Sequence, residues 1–265
     1  MDIQGHRGCR GLLPENSLPA FEKAIDLGVN TLELDVVVSK DLRVVVSHEP
    51  YMSKTICTMP NGNEVNNPYE LNLFQMGYDS IKKFDCGTRF HPNYPEQEKI
   101  TTNKPLLSEV FDLVKLKDSD VWFNIEIKSL SQFYGIYTPF PEDYVKVVMG
   151  LIEEEGMLKR INIQSFDINI LEEIHKQYPQ VEIALLIDEK ESIKGKLESL
   201  TFKPEIISPY YRLLSASEVR NYKDLGYKMI PWTVNSNEDL KTVSSWDVDG
   251  IITDYPDRLI DLISN

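Results

Sequence analysis

The sequence predicts a (β/α)8 barrel with an insertion after its second strand, an α/β fold in which residues 1–265 form one domain and residues 50–106 form the insertion. Apolar, β-branched runs alternate with segments of helical period, and they begin near Asp2, Thr31, Val121, Ile161, Glu182, Glu205, Lys228 and Gly250. Most successive starts lie about 20 to 40 residues apart, the length that a strand, a helix and two loops require. The long gap between Thr31 and Val121 houses the insertion. Eight units favour closure over an open sheet, which periodicity alone leaves as the alternative.

The first strand leads to His6-Arg7-Gly8. In the helix that follows, Leu18, Phe21, Ala24 and Ile25 share one face, Pro19 sits in a first turn that tolerates it, and Gly28 closes the end. The second strand reads TLELDVVVS. Alternation turns Glu33 and Asp35 to one side and Leu32, Leu34 and Val36 to the other. A second apolar run, RVVVSH, pairs with it as a hairpin through a two-residue loop at Asp41-Leu42, which places Val36 opposite Ser47 and Asp35 opposite His48.

The insertion from Pro50 to Leu106 is polar with interleaved aromatics and prolines, the composition of an ordered wall over the barrel mouth. In the third barrel strand, WFNIEIK, Asn124, Glu126 and Lys128 share the inward side. Further on, Tyr144, Val147, Val148, Leu151 and Ile152 form a helical stripe ending at Gly156, and Ser215 with Glu218 forms a capping box.

Composition excludes several classes. No apolar stretch approaches the roughly 20 residues that span a bilayer. A net charge of −14 and a pI near 4.8 oppose general nucleic-acid binding, because phosphate backbones would be repelled over most of the surface. Cys9, Cys57 and Cys86 are odd in number and lack close pairing, so they are expected to be free thiols. His6 lies so near Met1 that the first strand has almost no lead-in; this favours a periplasmic or secreted protein whose leader was removed, with a cytoplasmic one as the alternative.

Two like charges inside a core need a cation, so Glu33 and Asp35 point to a metal-assisted acid-base site with histidines on both sides. The barrel places chemistry at the carboxyl ends of its strands, where His6, Arg7, Glu33, Asp35, Glu126 and Lys128 all fall. Structural salt bridges are the duller reading of each carboxylate alone; the combination with two histidines outweighs it. His91 and His175 read as structural or solvent-facing.

The residues resemble the glycerophosphodiester phosphodiesterases, metal-dependent (β/α)8-barrel enzymes. The matching pieces are HRG at His6-Gly8, PEN at Pro14-Asn16, ELDV at Glu33-Val36, VVSHE at Val45-Glu49, IEIK at Ile125-Lys128, SF at Ser165-Phe166, PWTVN at Pro231-Asn235 and DGIITDYPD at Asp249-Asp257. The resemblance implies that Glu33, Asp35 and Glu126 bind one divalent cation, Mg²⁺ or Ca²⁺, as an all-oxygen ligand set suits. It implies that His6 and His48 are the general acid-base pair, that Arg7 and Lys128 bind phosphate oxygens, and that Trp232 lines the pocket.

The implied reaction is hydrolysis of a small glycerophosphodiester, such as glycerophosphocholine or glycerophosphoethanolamine, to glycerol 3-phosphate and an alcohol, through a cyclic phosphate made by the glycerol 2-hydroxyl. The rivals are a phospholipid or phosphoinositide diesterase of the same fold and a catalytically silent phosphodiester-binding barrel. The chain departs from the family where it has His48-Glu49 for the usual His-Asp and Ser17 for the more frequent Thr. The first change lengthens the carboxylate beside His48 and bears on how that ring is oriented. Phe90, His91 and Tyr94 of the insertion face either the alcohol or the insertion itself, and Asp254 is expected to hold loops together by hydrogen bonds.

Overall fold

A computed structural model describes residues 1–264. The strands are β1 (Asp2–Gly5), β2 (Thr31–Val38), β3 (Val44–Val46), β4 (Trp122–Ile127), β5 (Ile161–Ser165), β6 (Glu182–Ile187), β7 (Ile206–Pro209), β8 (Lys228–Met229) and β9 (Gly250–Thr253). All but β3 run parallel in the order β8-β7-β6-β5-β4-β2-β1-β9. The gap between β8 and β9 is bridged by backbone bonds from Asp249 N to Met229 O at 2.9 Å, Ile252 N to Pro231 O at 3.0 Å and Val234 N to Ile252 O at 3.0 Å. The sheet therefore curls into a nearly closed eight-stranded barrel ringed by helices, as the spacing predicts.

Alternation decides what each face of a strand buries. On β2 and β4, Leu32, Leu34, Val36, Phe123, Ile125 and Ile127 are fully buried against the helices. Phe123 meets Phe111 of the helix Leu107–Leu116 edge-on at 4.9 Å, and Tyr144 of the helix Pro141–Glu154 donates its hydroxyl to Val36 O at 2.8 Å. The barrel interior is divided. Ala184, Ile206, Ile230 and Ile252 form an apolar cluster, whereas Gln4, Asn124, Asn162 and Gln164 are buried amides.

The first helix, α1 (Leu18–Leu27), forms where its signals lie. Ser17 accepts from Ala20 N at its start, and Gly28 adopts φ 89°, so that its N–H reaches the Ala24 and Ile25 carbonyls. No helix among the described residues is long and apolar enough to cross a membrane.

Two expectations are corrected. The hairpin pairs Val36 with Val46 and Val38 with Val44, so Asp35 stands opposite Ser47 rather than His48. The loop holds three residues between Ser39 and Arg43, with Leu42 at φ 57°, a left-handed position that a leucine does not advertise. The cysteines are not all free: Cys57 and Cys86 form a disulfide across a separation of 29 residues, and only Cys9 is unpaired among the described residues. Backbone pairing of Thr58 with Asp85 brings these two together inside an apolar cluster where Met52, Leu73, Ile81 and Phe84 pack against Val37 and Val45.

Candidate active site

The turn after β1 is built from residues that only this geometry requires. Arg7 has φ 51°, a costly conformation for a non-glycine residue, and its N–H donates to Glu33 Oε2 at 2.9 Å. Gly8 follows at φ 87°, where a Cβ would stand 2.7 Å from the Ala20 carbonyl carbon of α1. Asn16 is likewise left-handed at φ 53° and donates to Asp35 Oδ2 at 2.8 Å, while Glu15 receives the Arg7 guanidinium at 2.7 Å.

Strand register assembles the carboxylates. Glu33 and Asp35 point inward from β2, and Asp35 lies directly beside Glu126 of β4. One oxygen from each of Glu33, Asp35 and Glu126 lies within 4.8 Å of the others, and all three residues are buried. Lys128 Nζ contacts Glu126 at 2.6 Å and Asp35 at 3.7 Å. Asp35 Oδ1 is buried without a hydrogen-bond partner, the Lys128 ammonium standing 3.7 Å away, beyond hydrogen-bond reach.

The electrostatics express the same crowding. Burial, followed by the Asp35 and Glu126 charges, pushes Glu33 well above the carboxylate range, and burial raises Glu126 to about 7. Burial works in the same direction on Asp35, but Arg7, His48 and Lys128 outweigh it and hold that carboxylate low. Three ionised carboxylates cannot share this volume without positive charge. The all-oxygen donors and the orphaned Asp35 oxygen fit a hard divalent ion.

Each expected histidine is held by a carboxylate. His6 Nδ1 lies 2.7 Å from Asp254 Oδ1, and its Nε2 lies 3.8 Å from Glu33. Burial and the nearby Arg10 lower His6 to about 4, against the pull of Asp254. His48 reaches the cavity despite the altered register, because it lies beyond the end of β3 where the chain turns, Ser47 Oγ donating to Glu49 O at 2.6 Å. The glutamate that replaces the usual aspartate still reaches its ring, with His48 Nδ1 and Glu49 Oε1 3.0 Å apart. Burial opposes ionisation of Glu49, yet the His48 hydrogen bond and the Lys104 and Arg7 charges hold it at about 2.

His6, Arg7, Glu33, His48, Glu126, Lys128 and Trp232 line one cavity of about 140 Å³. Trp232 is fixed as a wall by donating Nε1 to Ser208 O at 2.8 Å. A neighbouring cavity of about 540 Å³ shares His48, Glu126 and Lys128 and is walled by Pro50, Tyr51, Leu130, Phe133 and Phe166. A further cavity, about 830 Å³, opens at the other end of the barrel beside Asp2 and Trp122 and contains none of these groups.

Sequence reasoning undervalued Asp254 and missed Arg10, Glu15 and Asn16 as parts of this site. Asp254 accepts from Arg10 Nε at 2.8 Å, Tyr94 Oη at 2.8 Å and Asn235 Nδ2 at 2.7 Å as well as engaging His6. Tyr94 thus serves the site from the insertion, whereas Phe90 is 56% exposed and His91 packs edge-on against Tyr94. His175 stacks on Phe202, away from the cavity. The signal available for Glu15, Asn16 and Asp254 was their place within the PEN and DGIITDYPD pieces.

The model of the Glycerophosphoryl diester phosphodiesterase family matches residues 6–258. The chain belongs to that family. Membership makes it a phosphoric diester hydrolase and agrees with the barrel and the acidic cluster, which together point to a divalent-cation site. The chain is 34% identical to a glycerophosphodiester phosphodiesterase of Caldanaerobacter subterraneus subsp. tengcongensis, over 98% of this chain and 97% of that one. It is 24% identical to a human lysophospholipase D, over 98% and 85%. A solved structure from Silicibacter pomeroyi superposes with a TM-score of 0.90 at 28% identity, covering 99% of this chain and 94% of that one. An Oleispira antarctica phosphodiesterase in complex with the product sn-glycerol-3-phosphate superposes at 0.80 with 19% identity, covering 100% and 97%.

Proposed function

We propose that this hydrolase cleaves small glycerophosphodiesters to glycerol 3-phosphate and an alcohol, with a divalent cation at Glu33, Asp35 and Glu126 and proton transfer by His6 and His48. The observation that carries the reading is the meeting of two carboxylate-held imidazoles with Glu33 and Glu126 at one cavity of about 140 Å³, where Asp35 lies close enough to both to complete an acidic trio. The product bound by the Oleispira relative supports it.

The residues divide the work by geometry. Asp254 holds the hydrogen on His6 Nδ1, so Nε2 presents a lone pair that can take the proton of the glycerol 2-hydroxyl. His48 lines both the small cavity and its larger neighbour, and from there it delivers a proton to the departing alcohol oxygen. The hydroxyl oxygen bonds to phosphorus as the ester bond to the alcohol breaks, leaving a cyclic phosphate. Water then opens the ring with the two imidazoles in exchanged roles. Arg7 and Lys128 place two cations against the non-bridging oxygens, and a bound divalent ion supplies further positive charge there while neutralising the acidic trio. Acid-base transfer accounts for about 10²–10⁴-fold of the acceleration, and positioning and electrostatics for the rest.

The apolar walls of the 540 Å³ cavity favour a second reading, in which the substrate carries a larger apolar group, as a lysophospholipid does. Incubation with glycerophosphocholine and Mg²⁺ or Ca²⁺, with and without chelator, tests the main reading by release of glycerol 3-phosphate. Release that survives chelation overturns the cation assignment. Binding without release makes the chain a silent receptor, and much faster cleavage of lysophosphatidylcholine favours the second reading.

A further inference from the structure

Beneath the acidic trio runs a chain of carboxamides that the roles above do not use. Gln164 on β5 donates from Nε2 to Glu33 Oε1 at 2.8 Å. Its own oxygen is taken by Asn124 on β4, whose Nδ2 donates to Gln164 Oε1 at 3.1 Å and to Gln4 Oε1 at 2.8 Å. Asn124 Oδ1 accepts from Asn162 Nδ2 at 2.6 Å, and Gln4 Nε2 donates to Asp2 Oδ2 at 2.7 Å. Gln4, Asn124 and Gln164 are each 1% exposed, so water does not set their orientation.

A carboxamide has one donating and one accepting end, and each neighbour therefore dictates the next. Asn162 occupies the oxygen of Asn124, which leaves both Asn124 hydrogens for the two glutamines. Both glutamines must then turn their NH₂ groups outward, Gln4 to Asp2 and Gln164 to Glu33. Were Gln164 reversed, its oxygen would add a further acceptor to a volume already crowded with three carboxylates, and a buried donor would be left without a partner.

We propose that Gln164, aimed by Asn124, is a positioning residue that presets the Glu33 carboxylate for a divalent cation. The inference rests on the reading of Glu33, Asp35 and Glu126 as a cation site. With Arg7 N–H on one Glu33 oxygen and Gln164 on the other, the carboxylate is fixed from two sides. Each oxygen retains lone-pair capacity for an ion. Such outer partners govern affinity by reducing the reorganisation that binding demands.

Calorimetric titration of Mg²⁺ and of Ca²⁺ into the wild type, Gln164→Met and Asn124→Asp tests this. Both variants keep side-chain size, and Asn124→Asp replaces the double donor with an acceptor while leaving Gln164 and Glu33 intact. Each is expected to weaken cation binding about 10–100-fold, with a loss of turnover that shrinks as the cation is raised. A folded Gln164→Met protein with wild-type cation affinity overturns the proposal, as does a turnover loss independent of cation concentration. If circular dichroism shows Asn124→Asp unfolded, Gln164→Met alone decides. Failure of the wild type to bind either ion overturns the cation reading itself, an outcome visible without any variant.

Discussion

Asp254→Asn separates an orienting carboxylate from a merely structural one. Asp254 is fully buried and engages His6, Arg10, Tyr94 and Asn235. Asparagine keeps the shape but has one acceptor oxygen for two positions: Oδ1, which His6 Nδ1 and Arg10 Nε share, and Oδ2, to which Arg10 Nη2, Tyr94 Oη and Asn235 Nδ2 donate. The larger set of donors claims that oxygen at the Oδ2 position, and the NH₂ group is left to face the His6 ring and Arg10 Nε. The ring then carries its hydrogen on Nε2, the atom the proposed reaction needs free. A turnover loss of about 10²–10⁴-fold follows, with a smaller change in KM. Stability falls as well, by a few kcal/mol at most, about 3, because the largely buried Arg10 guanidinium loses one of its two carboxylate partners and keeps Glu15.

The pH profile supplies a readout that simple destabilisation does not move. His6 serves as a base only when neutral, so the acid limb of kcat/KM falls as pH drops through its value of about 4. Asp254 raises His6; its removal lowers His6 further and moves the acid limb of residual activity to lower pH. Asp254 itself is held well below the carboxylate range by Arg10 and His6 against the effect of burial. Its stabilising contribution is therefore present above the ordinary carboxylate pKa and lost as pH falls through the folded value, and the asparagine variant lacks that slope in chemical denaturation. Near-normal turnover with an unmoved acid limb refutes the orienting role.

Other perturbations probe the site and its wall. His48→Ala cuts turnover by orders of magnitude while calorimetric cation affinity stays within about twofold, since the imidazole moves protons and is not a proposed ligand; a cation affinity that falls with the rate contradicts this. Glu33→Gln weakens cation binding and turnover together, and an unchanged binding isotherm removes Glu33 from the site. Thiol titration finds no reactive group in the native protein, because burial pushes the Cys9 thiol up to about 12, and one group after denaturation without reductant, because Cys57 and Cys86 are paired. Replacing both paired cysteines with serine lowers stability by about 3–4 kcal/mol from loop entropy at a separation of 29 residues, as denaturant unfolding would show.

The barrel was legible because its strands announce themselves locally. A β-branched run bounded by loop residues fixes a start to within a residue, as Val121 against Trp122 and Glu205 against Ile206 show. Alternation likewise put Glu33, Asp35 and Glu126 on one side before any fold was known. The hairpin register escaped because it depends on Leu42 adopting a left-handed backbone, a choice imposed by the strands on either side. The disulfide escaped because Cys57 and Cys86 meet only through the pairing of Thr58 with Asp85. Asp254 faces His6 across 248 positions of sequence, and no local pattern reports a partner that appears only when the last strand closes beside the first.

The fit of Gly8 against Ala20 leaves no room for even a methyl group between the histidine-bearing turn and α1. Cys9 Sγ donating to Ala20 O at 3.3 Å and Asn16 N donating to Arg7 O at 3.0 Å tie the two closely packed segments together, so that lifting the helix disturbs the turn. Protection of the Ala24 and Ile25 amides against deuterium thus becomes a remote gauge of whether the reactive end is intact, readable in a protein that has never met its substrate.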